Sequence, residues 1–402
     1  MPKYVKNDNG VVVPDYSEDA ISAVLRGEMS FCRFLTANDT GLTGGHQAGI
    51  YIAKTGVEIL FDEPGVKGEN KDKWAQITWQ DGTQTESRFI YYGQGTRNEY
   101  RITNFGRGFP FLHVDYTGAL FALVRNNANE YQAFVLNTDD EMEAFMDAFG
   151  MTPADTNRMI DTTPLSESEL EEDEFSRFIH TLGDRFPTTA QMSHKAREIE
   201  SFLYDHEERI QLNPDKKLLD WTNMEYRLFK AVEFAFCGDL VKKGFETVDE
   251  FVEFANQVLN RRKSRAGKGL ENHLGALFEG NEIRYESQAV TEGNKKPDFL
   301  FPSKKDYHDQ SFPTEKLITL AAKTTCKDRW RQVLNEANRL RDRNKYLCTL
   351  QQGISEAQMD EMEQEKVILV VPKDYIHFYP KSRRDRIWSI ADFVQHAKEL
   401  QA

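Results

Sequence analysis

Two short apolar runs, each with a charged residue at one end, constrain the fold of this chain more than any other feature. Pro297-Asp298 leads into Phe299–Phe301, and Lys323 ends the apolar residues 317–322. Runs of this length favour buried strands. Because side chains alternate along a strand, Lys323 falls at a strand end, and Asp298 can project from the same end of the neighbouring strand. The pattern predicts an α/β domain with a carboxylate and a lysine at one edge of its sheet.

Asp298, Lys323 and Glu336 form a candidate set for metal-dependent cleavage of a phosphodiester. Carboxylates bind hard cations through oxygen, and the cation then activates water and stabilises charge at the phosphate. The usual nuclease pattern is Pro-Asp, a gap and Glu-x-Lys, but Ala321 stands two residues before Lys323. We expect a helix over residues 327–341 to supply Glu336 instead, so that Asp298 and Glu336 are the metal ligands.

Further charged residues surround this set. Glu271 lies off the apolar stripe of its predicted helix and is a further catalytic candidate. Lys327, Asp328 and Arg329 begin the helix predicted after Lys323. These residue types match base edges in the major groove, where Arg and Lys read guanine and Asp accepts from cytosine. The alternative is an ordinary salt-bridged helix start, with Glu271 as a surface acid.

The chain as a whole predicts two domains joined by a linker. Residues 1–150 contain short apolar runs separated by turn residues, which predict a small sheet or barrel and then a helix ending at Gly150. Residues 151–185 predict an exposed acidic linker leading into a helix near Glu169. Residues 186–402 predict the catalytic α/β domain. The acidic residues 166–174 are a solvated face of the linker or, alternatively, mimic nucleic acid and rest on a basic cleft.

Composition limits the class of protein. The formal net charge of −14 over 402 residues argues mildly against nucleic-acid binding. However, residues 260–268 and 327–331 are basic, and a local basic patch is a better indicator of nucleic-acid binding than the net charge of the chain. Four scattered cysteines without a CxxC pair argue against a zinc site or a disulfide framework. The sequence has a polar start and shows no apolar run of membrane-span length, so we expect a cytoplasmic protein.

Five longer segments carry a resemblance to a known family. They are residues 36–47 (TANDTGLTGGHQ), 96–103 (TRNEYRIT), 260–268 (NRRKSRAGK), 291–303 (TEGNKKPDFLFPS) and 323–332 (KTTCKDRWRQ). In this order they closely resemble the EcoRII-like type II restriction endonucleases. The resemblance implies a homodimer that cuts DNA with Mg²⁺ at a CC(A/T)GG-like site, leaves 5′-phosphates and serves a restriction-modification system. It also implies a C-terminal fold of the PD-(D/E)xK type and an N-terminal DNA-binding pseudobarrel, which binds a second, effector copy of the site and blocks the catalytic cleft until then.

In the catalytic half, the resemblance assigns roles to individual residues. Asp298, Lys323 and Glu336 match catalytic positions, with Glu271 as a supporting acid. The residues expected to contact the cleaved DNA are Lys327, Asp328, Arg329, Arg261, Arg262, Lys263 and Tyr226. Among them, Tyr226 (or alternatively Trp221) would stack on a base flipped out of the duplex. Residues 218–226 match the family less well than the other segments do.

In the N-terminal half, the resemblance implies two recognition arms at residues 38–47 and 95–101. The residues expected to contact effector DNA are Asn38, His46, Arg97, Glu99 and Arg101, with Arg33 and Arg88 holding phosphates. Tyr100 departs from the family pattern, because it stands where a basic residue is expected.

Two other functions remain as alternatives. A DNA-binding regulator with a non-catalytic, dimerising C-terminal domain would not need Asp298, Lys323 and Glu336 together. A structure-selective repair nuclease would lack the two base-reading segments. Both features favour the restriction endonuclease.

Overall fold

The computed structural model describes residues 3–6, 12–41, 49–160, 168–204, 209–293 and 295–402. The strands are β1 (Lys3–Lys6), β2 (Val12–Asp15), β3 (Met29–Phe34), β4 (Ile50–Ile52), β5 (Lys71–Trp79), β6 (Gln84–Tyr92), β7 (Glu99–Thr103), β8 (Leu120–Arg125), β9 (Glu130–Leu136), β10 (Arg158–Met159), β11 (Glu286–Ser287), β12 (Phe299–Phe301), β13 (Ile318–Lys323), β14 (Lys345–Thr349), β15 (Val367–Val371) and β16 (Trp388–Ser389). The helices are α1 (Ser17–Arg26), α2 (Val57–Leu60), α3 (Asp139–Phe149), α4 (Glu169–Leu182), α5 (Thr189–Tyr204), α6 (Arg209–Leu212), α7 (Pro214–Lys243), α8 (Val248–Gly280), α9 (Lys304–His308), α10 (Glu356–Gln364) and α11 (Ile390–Gln401). None of the helices in these described ranges is long and apolar enough to cross a bilayer.

The N-terminal half is built on a mixed sheet. Within the described residues it has eight strands in the order β10-β3-β8-β9-β5-β6-β7-β4, and neighbours are antiparallel except for β5 and β9. One face buries an aromatic core that includes Phe31, Trp79 and Phe89. The other face packs against α1 and α3, the latter through Phe145 and Met146. The mostly-β prediction for this half is confirmed, including the pairing of β8 with β9.

Helix α3 forms because its start and end are both well specified. The Thr138 side chain accepts from the backbone N–H of Glu141, whose carboxylate accepts in return from the backbone N–H of Thr138. Such a capping box satisfies backbone donors at the first turn, and acidic side chains there stabilise the helix by interacting with the positive end of its dipole. Gly150 ends the helix in a left-handed conformation, with φ of 67°. Asp139 and Asp140 are thereby fixed at an exact place, the N-terminal end of α3.

The prediction of an exposed linker over residues 151–185 is wrong at its start, over residues 151–160. Residues 151–156 are buried, and β10 joins the N-terminal sheet by pairing with β3. Helix α4 does begin at Glu169, as predicted, but it packs on the C-terminal half. Its Phe175 lies in a core with residues of α5 and α7, and its buried Glu171 binds Arg227 at 2.8 Å. Residues 161–167 lie outside the described residues.

The C-terminal half has the predicted α/β architecture. Its sheet has the strand order β11-β12-β13-β14-β15-β16, which is antiparallel up to β13 and parallel from there on, with six strands among the described residues. Helices α7, α8 and α11 cover one face through a core that includes Leu274 and Phe278. The other face packs against α10 and the segment after β13.

The helix predicted over residues 327–341 is absent. Two 3₁₀ segments, Arg329–Asn335 and Asn338–Leu340, stand in its place. The apolar residues of the first, Trp330 and Val333, belong to the core under α10, whereas Leu340 belongs to a separate core with Leu300 and Tyr307. The chain therefore serves two different cores, and one straight helix could not reach both.

The two halves are joined by buried ion pairs. Arg265 on α8 donates to the backbone oxygen of Gly150 (2.8 Å) and pairs with Asp155 (3.6 Å) and with Glu225 on α7 (3.3 Å). His273 lies 3.0 Å from the other oxygen of Glu225. Because these groups are almost fully buried, each needs the others to offset its loss of hydration. This network fixes the end of the N-terminal half against the two long helices.

Candidate active site

Asp298 and Lys323 meet at the end of β13, as the sequence predicts. Asp298 directly precedes β12, which pairs antiparallel with β13. Its Oδ2 accepts from the backbone N–H of Ala322 (2.8 Å) and from Nζ of Lys323 (3.1 Å). Asp298 is 7% exposed, so these donors replace the water that a carboxylate needs.

Glu336 lies beside this pair, at the end of the first 3₁₀ segment rather than on a helix face. Burial raises the pKa of its carboxyl to about 7, while the charge of Lys323 lowers it and that of Asp298 raises it. Its backbone oxygen accepts from the Thr291 hydroxyl at 2.7 Å, which fixes the segment. Its Oε2 atom is buried and has no hydrogen-bond partner among the described residues.

Glu271 reaches the site from α8 through another side chain. Lys268 binds both of its oxygens, at 2.9 and 2.8 Å. The Gln288 amide nitrogen donates to Asp298 Oδ1 at 2.9 Å and lies 3.4 Å from Glu271 Oε2. Gln288 could not be found from the sequence, because a glutamine after a two-residue strand carries no distinguishing pattern.

These residues fit a magnesium ion. The described part of the chain holds no cluster of three or more His, Cys, Asp or Glu side chains poised around one point. Magnesium, however, is commonly held by one or two carboxylates and completes its shell with water and substrate phosphate oxygens. Asp298 and Glu336 supply two carboxylates, and the buried, unpaired Glu336 Oε2 is an oxygen that a cation would satisfy.

The predicted base-reading segment is covered by the N-terminal half. The Asp139 carboxylate, at the start of α3, accepts from the backbone N–H groups of Lys327 (3.0 Å), Asp328 (2.5 Å) and Arg329 (2.8 Å). The Lys327 ammonium is buried against the backbone oxygen of Asp115 (3.0 Å) and against Asn137. Burial lowers the pKa of Lys327 to about 8.

Arg329 is held by two further acids of α3. It pairs with Asp140 at 2.8 Å and with Glu143, which also accepts from the Thr325 hydroxyl at 3.2 Å. Burial raises the pKa of Glu143. The acids that lie on the basic segment are therefore those of α3. The alternative that residues 166–174 play this part is wrong for Glu171, which is buried in its pair with Arg227, and for Glu174, which pairs with Arg177.

A cavity of about 230 Å³ remains between the halves beside Lys323. It is lined by Glu143, Asp147, Lys263, Glu271 and Arg329 among others. Burial and the charge of Glu143 raise the pKa of Asp147 to about 6, while Lys263 lowers it. A space of this size is too small for duplex DNA.

The remaining candidates of the catalytic half are largely engaged in contacts within the chain. Arg261 lies over the Phe186 ring at 4.5 Å, and Arg262 pairs with Glu233 at 2.7 Å and donates to the Ala148 oxygen. Lys263 is exposed at the cavity. Tyr226 is 2% exposed and packs on the core under α3, with Arg158 and Arg265 beside its ring, so no base can stack on it in this arrangement. Trp221 is buried as well.

In the N-terminal half, some arm residues face solvent. Arg97 is exposed and lies 5.2 Å from the Tyr92 ring, and Asn38 is exposed. Arg88 is half-buried and pairs with Asp72 at 2.8 Å. His46 lies outside the described residues.

Two arginines of this half support its core, contrary to prediction. Arg33 is 2% exposed, pairs with Asp39 at 3.1 Å and donates to the Tyr51 oxygen, so it cannot hold a phosphate. Arg101 is 5% exposed and pairs with Glu99 at 3.3 Å, which keeps it from base edges in this arrangement. Both lie on strands that have a neighbouring strand on each side, so protein atoms rather than solvent surround their side chains.

Comparisons with known proteins place these observations in context. Residues 25–153 match the family "Restriction endonuclease EcoRII, N-terminal", and residues 229–394 match "EcoRII C terminal". The chain is 38% identical over 392 residues to type II restriction enzyme EcoRII of Escherichia coli, covering 92% of this chain and 94% of that protein. It is 30% identical over 147 residues to type II restriction enzyme SsoII of Shigella sonnei, covering 35% of this chain and 47% of the relative.

Solved structures similar to this chain are nuclease–DNA complexes. Metal-depleted Ecl18kI with uncleaved DNA aligns with a TM-score of 0.43 and 23% identity, over 57% of this chain and 84% of that one. The PspGI–substrate DNA complex aligns with a TM-score of 0.44 and 18% identity, over 54% and 93%.

The raised pKa of Glu336 predicts a pH-dependent stability. Between about pH 4.5 and 7 the folded protein holds a proton that the unfolded chain has lost, so stability falls as pH rises through this range. In EDTA at pH 8, Glu336→Gln should therefore raise the free energy of unfolding, by on the order of 1–3 kcal/mol. Urea unfolding across this pH range measures the effect.

Added magnesium should reverse the order of the two proteins, because wild type gains stability from binding the ion and Glu336→Gln does not. Glu58→Gln, at an exposed glutamate of α2, is the matched control and should change neither measurement. An unchanged unfolding free energy in Glu336→Gln at pH 8 would contradict the assigned pKa.

Proposed function

Because the chain belongs to the EcoRII family of type II restriction enzymes, which are site-specific deoxyribonucleases, we propose that it cuts duplex DNA at a CC(A/T)GG-like site with Mg²⁺ held by Asp298 and Glu336. The observation that carries this proposal is the Asp298–Lys323 contact beside the buried, unpaired Oε2 atom of Glu336.

The chain's own residues divide the work of hydrolysis. When bound, magnesium supplies positive charge at the phosphate and acidifies a water molecule. Asp298 holds the Lys323 ammonium at 3.1 Å, so that it can neutralise a non-bridging phosphate oxygen. Water attacks phosphorus, the P–O3′ bond breaks and a 5′-phosphate results. The water proton passes to solvent, and the 3′ oxygen takes one up.

Asp298→Asn should lower the cleavage rate by roughly 10²–10³-fold or more, because the charge that orients Lys323 and binds the cation is lost. Specific binding measured in EDTA should stay close to that of wild type, because Asp298 makes no base contact in this scheme. Digestion of a fully sequenced plasmid with mapping of the ends measures activity, site and cut position together. Asp374→Asn, at an exposed aspartate, is the control. Cleavage that persists in Asp298→Asn would refute the site.

We further propose that α3 keeps the enzyme inactive until effector DNA binds the N-terminal half. The Asp139 carboxylate takes the three backbone donors of Lys327–Arg329, and Asp140 and Glu143 take the Arg329 side chain. Substrate DNA cannot reach this segment while those contacts stand. Asp139 is 2% exposed, so its bonds form away from competing water.

Weakening the α3 contacts should release the enzyme. The double variant Asp139→Asn, Glu143→Gln removes two charges from the closed state, in which charge-assisted hydrogen bonds contribute about 1.5–3 kcal/mol each. Cleavage of a plasmid with one site should become roughly 5–30-fold faster and lose its dependence on added effector DNA. Initial rates with and without an effector oligonucleotide measure this.

Glu172→Gln, Asp173→Asn is the matched control, because it removes the same charge from exposed positions of the acidic run on α4. Acceleration by the control alone would assign the inhibition to residues 166–174 instead.

A catalytic fragment should begin at Ser168 rather than near Phe186, because α4 belongs to the catalytic core through Phe175 and Glu171.

We also propose that the enzyme is a homodimer that associates through the ends of α7 and α8. Residues 234–259, here called the helical arm, expose seven large apolar side chains to between 45% and 76%. They are Phe234, Leu240, Val241, Val248, Phe251, Val252 and Leu259. Several large apolar side chains exposed on one segment indicate an interaction site. Lys242 and Lys243 on α7 could face Asp249 and Glu250 of a second copy.

Phe251→Glu should convert the dimer to a monomer at micromolar concentration, because it places a charge in the apolar surface. Light scattering coupled to size-exclusion chromatography measures the mass. Phe202→Glu, at a phenylalanine of α5 that is 71% exposed and outside the helical arm, should leave the dimer intact. A dimer that survives Phe251→Glu would exclude the arm as the interface.

A further inference from the structure

Gln288 adopts a strained backbone conformation at the edge of the candidate site. Its φ is +52°, in the left-handed region that residues with a side chain rarely enter. Such a conformation is unfavourable and persists only where surrounding interactions enforce it. The residue directly follows β11, and its backbone N–H donates to the Asp298 backbone oxygen at 3.1 Å. The strained residue is therefore bound to the aspartate proposed as a magnesium ligand.

The side chain of Gln288 has the chemistry to join two carboxylates. Its amide nitrogen carries two hydrogens and lies 2.9 Å from Asp298 Oδ1 and 3.4 Å from Glu271 Oε2. The nitrogen must point this way, because both neighbours are acceptors and an amide oxygen would be repelled. Two anionic groups are thus separated by a neutral donor.

These contacts extend into a continuous chain across the site. Lys268 binds Glu271, and Lys323 binds the second oxygen of Asp298. Gln288 is the link between the two ion pairs. Its side chain is exposed, yet it is held by partners on both sides.

We propose that Gln288 is a positioning residue, which fixes the Asp298 carboxylate for metal binding and couples it to Glu271. This inference rests on the proposed function of Asp298. A donor to one oxygen of a metal-binding carboxylate fixes the orientation of the group, and loss of such outer partners weakens metal affinity or activity by about 10–100-fold. Glu271 then supports the site through Gln288 and needs no contact with the cation.

Two substitutions separate the amide from the backbone strain. Gln288→Met keeps the side-chain length and the strain but removes the donor. Gln288→Gly removes the donor and also relieves the strain, so it should not lower the unfolding temperature. Both should weaken Mg²⁺ binding measured by calorimetry on the DNA-free protein by about 10–100-fold and lower kcat similarly, with the Kd for DNA in EDTA unchanged.

The matched control is Gln395→Met, at an exposed glutamine of α11 that donates to Glu399 at 2.7 Å. It should change none of these quantities. Wild-type magnesium affinity in both Gln288 variants would overturn the proposal. A loss confined to the DNA Kd in EDTA would also overturn it and make Gln288 a DNA contact.

Asp298→Asn in the same assays distinguishes a failure of the proposed magnesium site from a failure of the role of Gln288. If it binds magnesium as wild type does, the assignment of Asp298 has failed. If it loses magnesium while the Gln288 variants retain it, only the role of Gln288 has failed.

Discussion

The buried carboxylate of Asp298 is the group on which the candidate site depends. At 7% exposure it must be paired, and its donors are the Ala322 backbone, Lys323 and Gln288. These donors come from β13 and from the end of β11, the strands that lie on either side of β12. The site is therefore tied to strand register, since a slip of one residue would turn Lys323 to the other face of the sheet.

The end of β13 and the segment that follows it place a catalytic candidate and the proposed base-reading residues close together. Lys323 ends the strand, and the proposed base readers Lys327 to Arg329 begin four residues later. The acidic start of α3 can therefore cover the proposed base-reading segment and restrict access to the neighbouring catalytic candidates at the same time. Helix α3 is suited to this because its capping box fixes Asp139 and Asp140 at its first turn. The same domain carries the proposed effector-binding arms, so in the proposed regulation effector DNA and α3 act through one domain.

Local sequence patterns predicted the elements that bear the site, but not the surroundings of each residue. The alternation that ends at Lys323 predicted β13, and acids before an apolar stripe predicted α3. The helix over residues 327–341 was wrong because Trp330 and Leu340 pack into different cores. Arg33 has the residue type of a phosphate binder, yet it pairs with Asp39 inside the sheet. Residue type alone does not distinguish a buried arginine from an exposed one.

The sequence by itself determined the family and supplied the candidate residues of the site, because residue types and long ordered segments are local properties. The Asp298–Lys323 contact also followed, since adjacent strands bring their ends together. Only the tertiary structure decided that Asp139 meets Lys327, 188 residues away, and that Gln288 joins Asp298 to Glu271. Those contacts arise from the docking of separately formed elements, and the periodicity of each element reflects its own buried face rather than the partner that covers it.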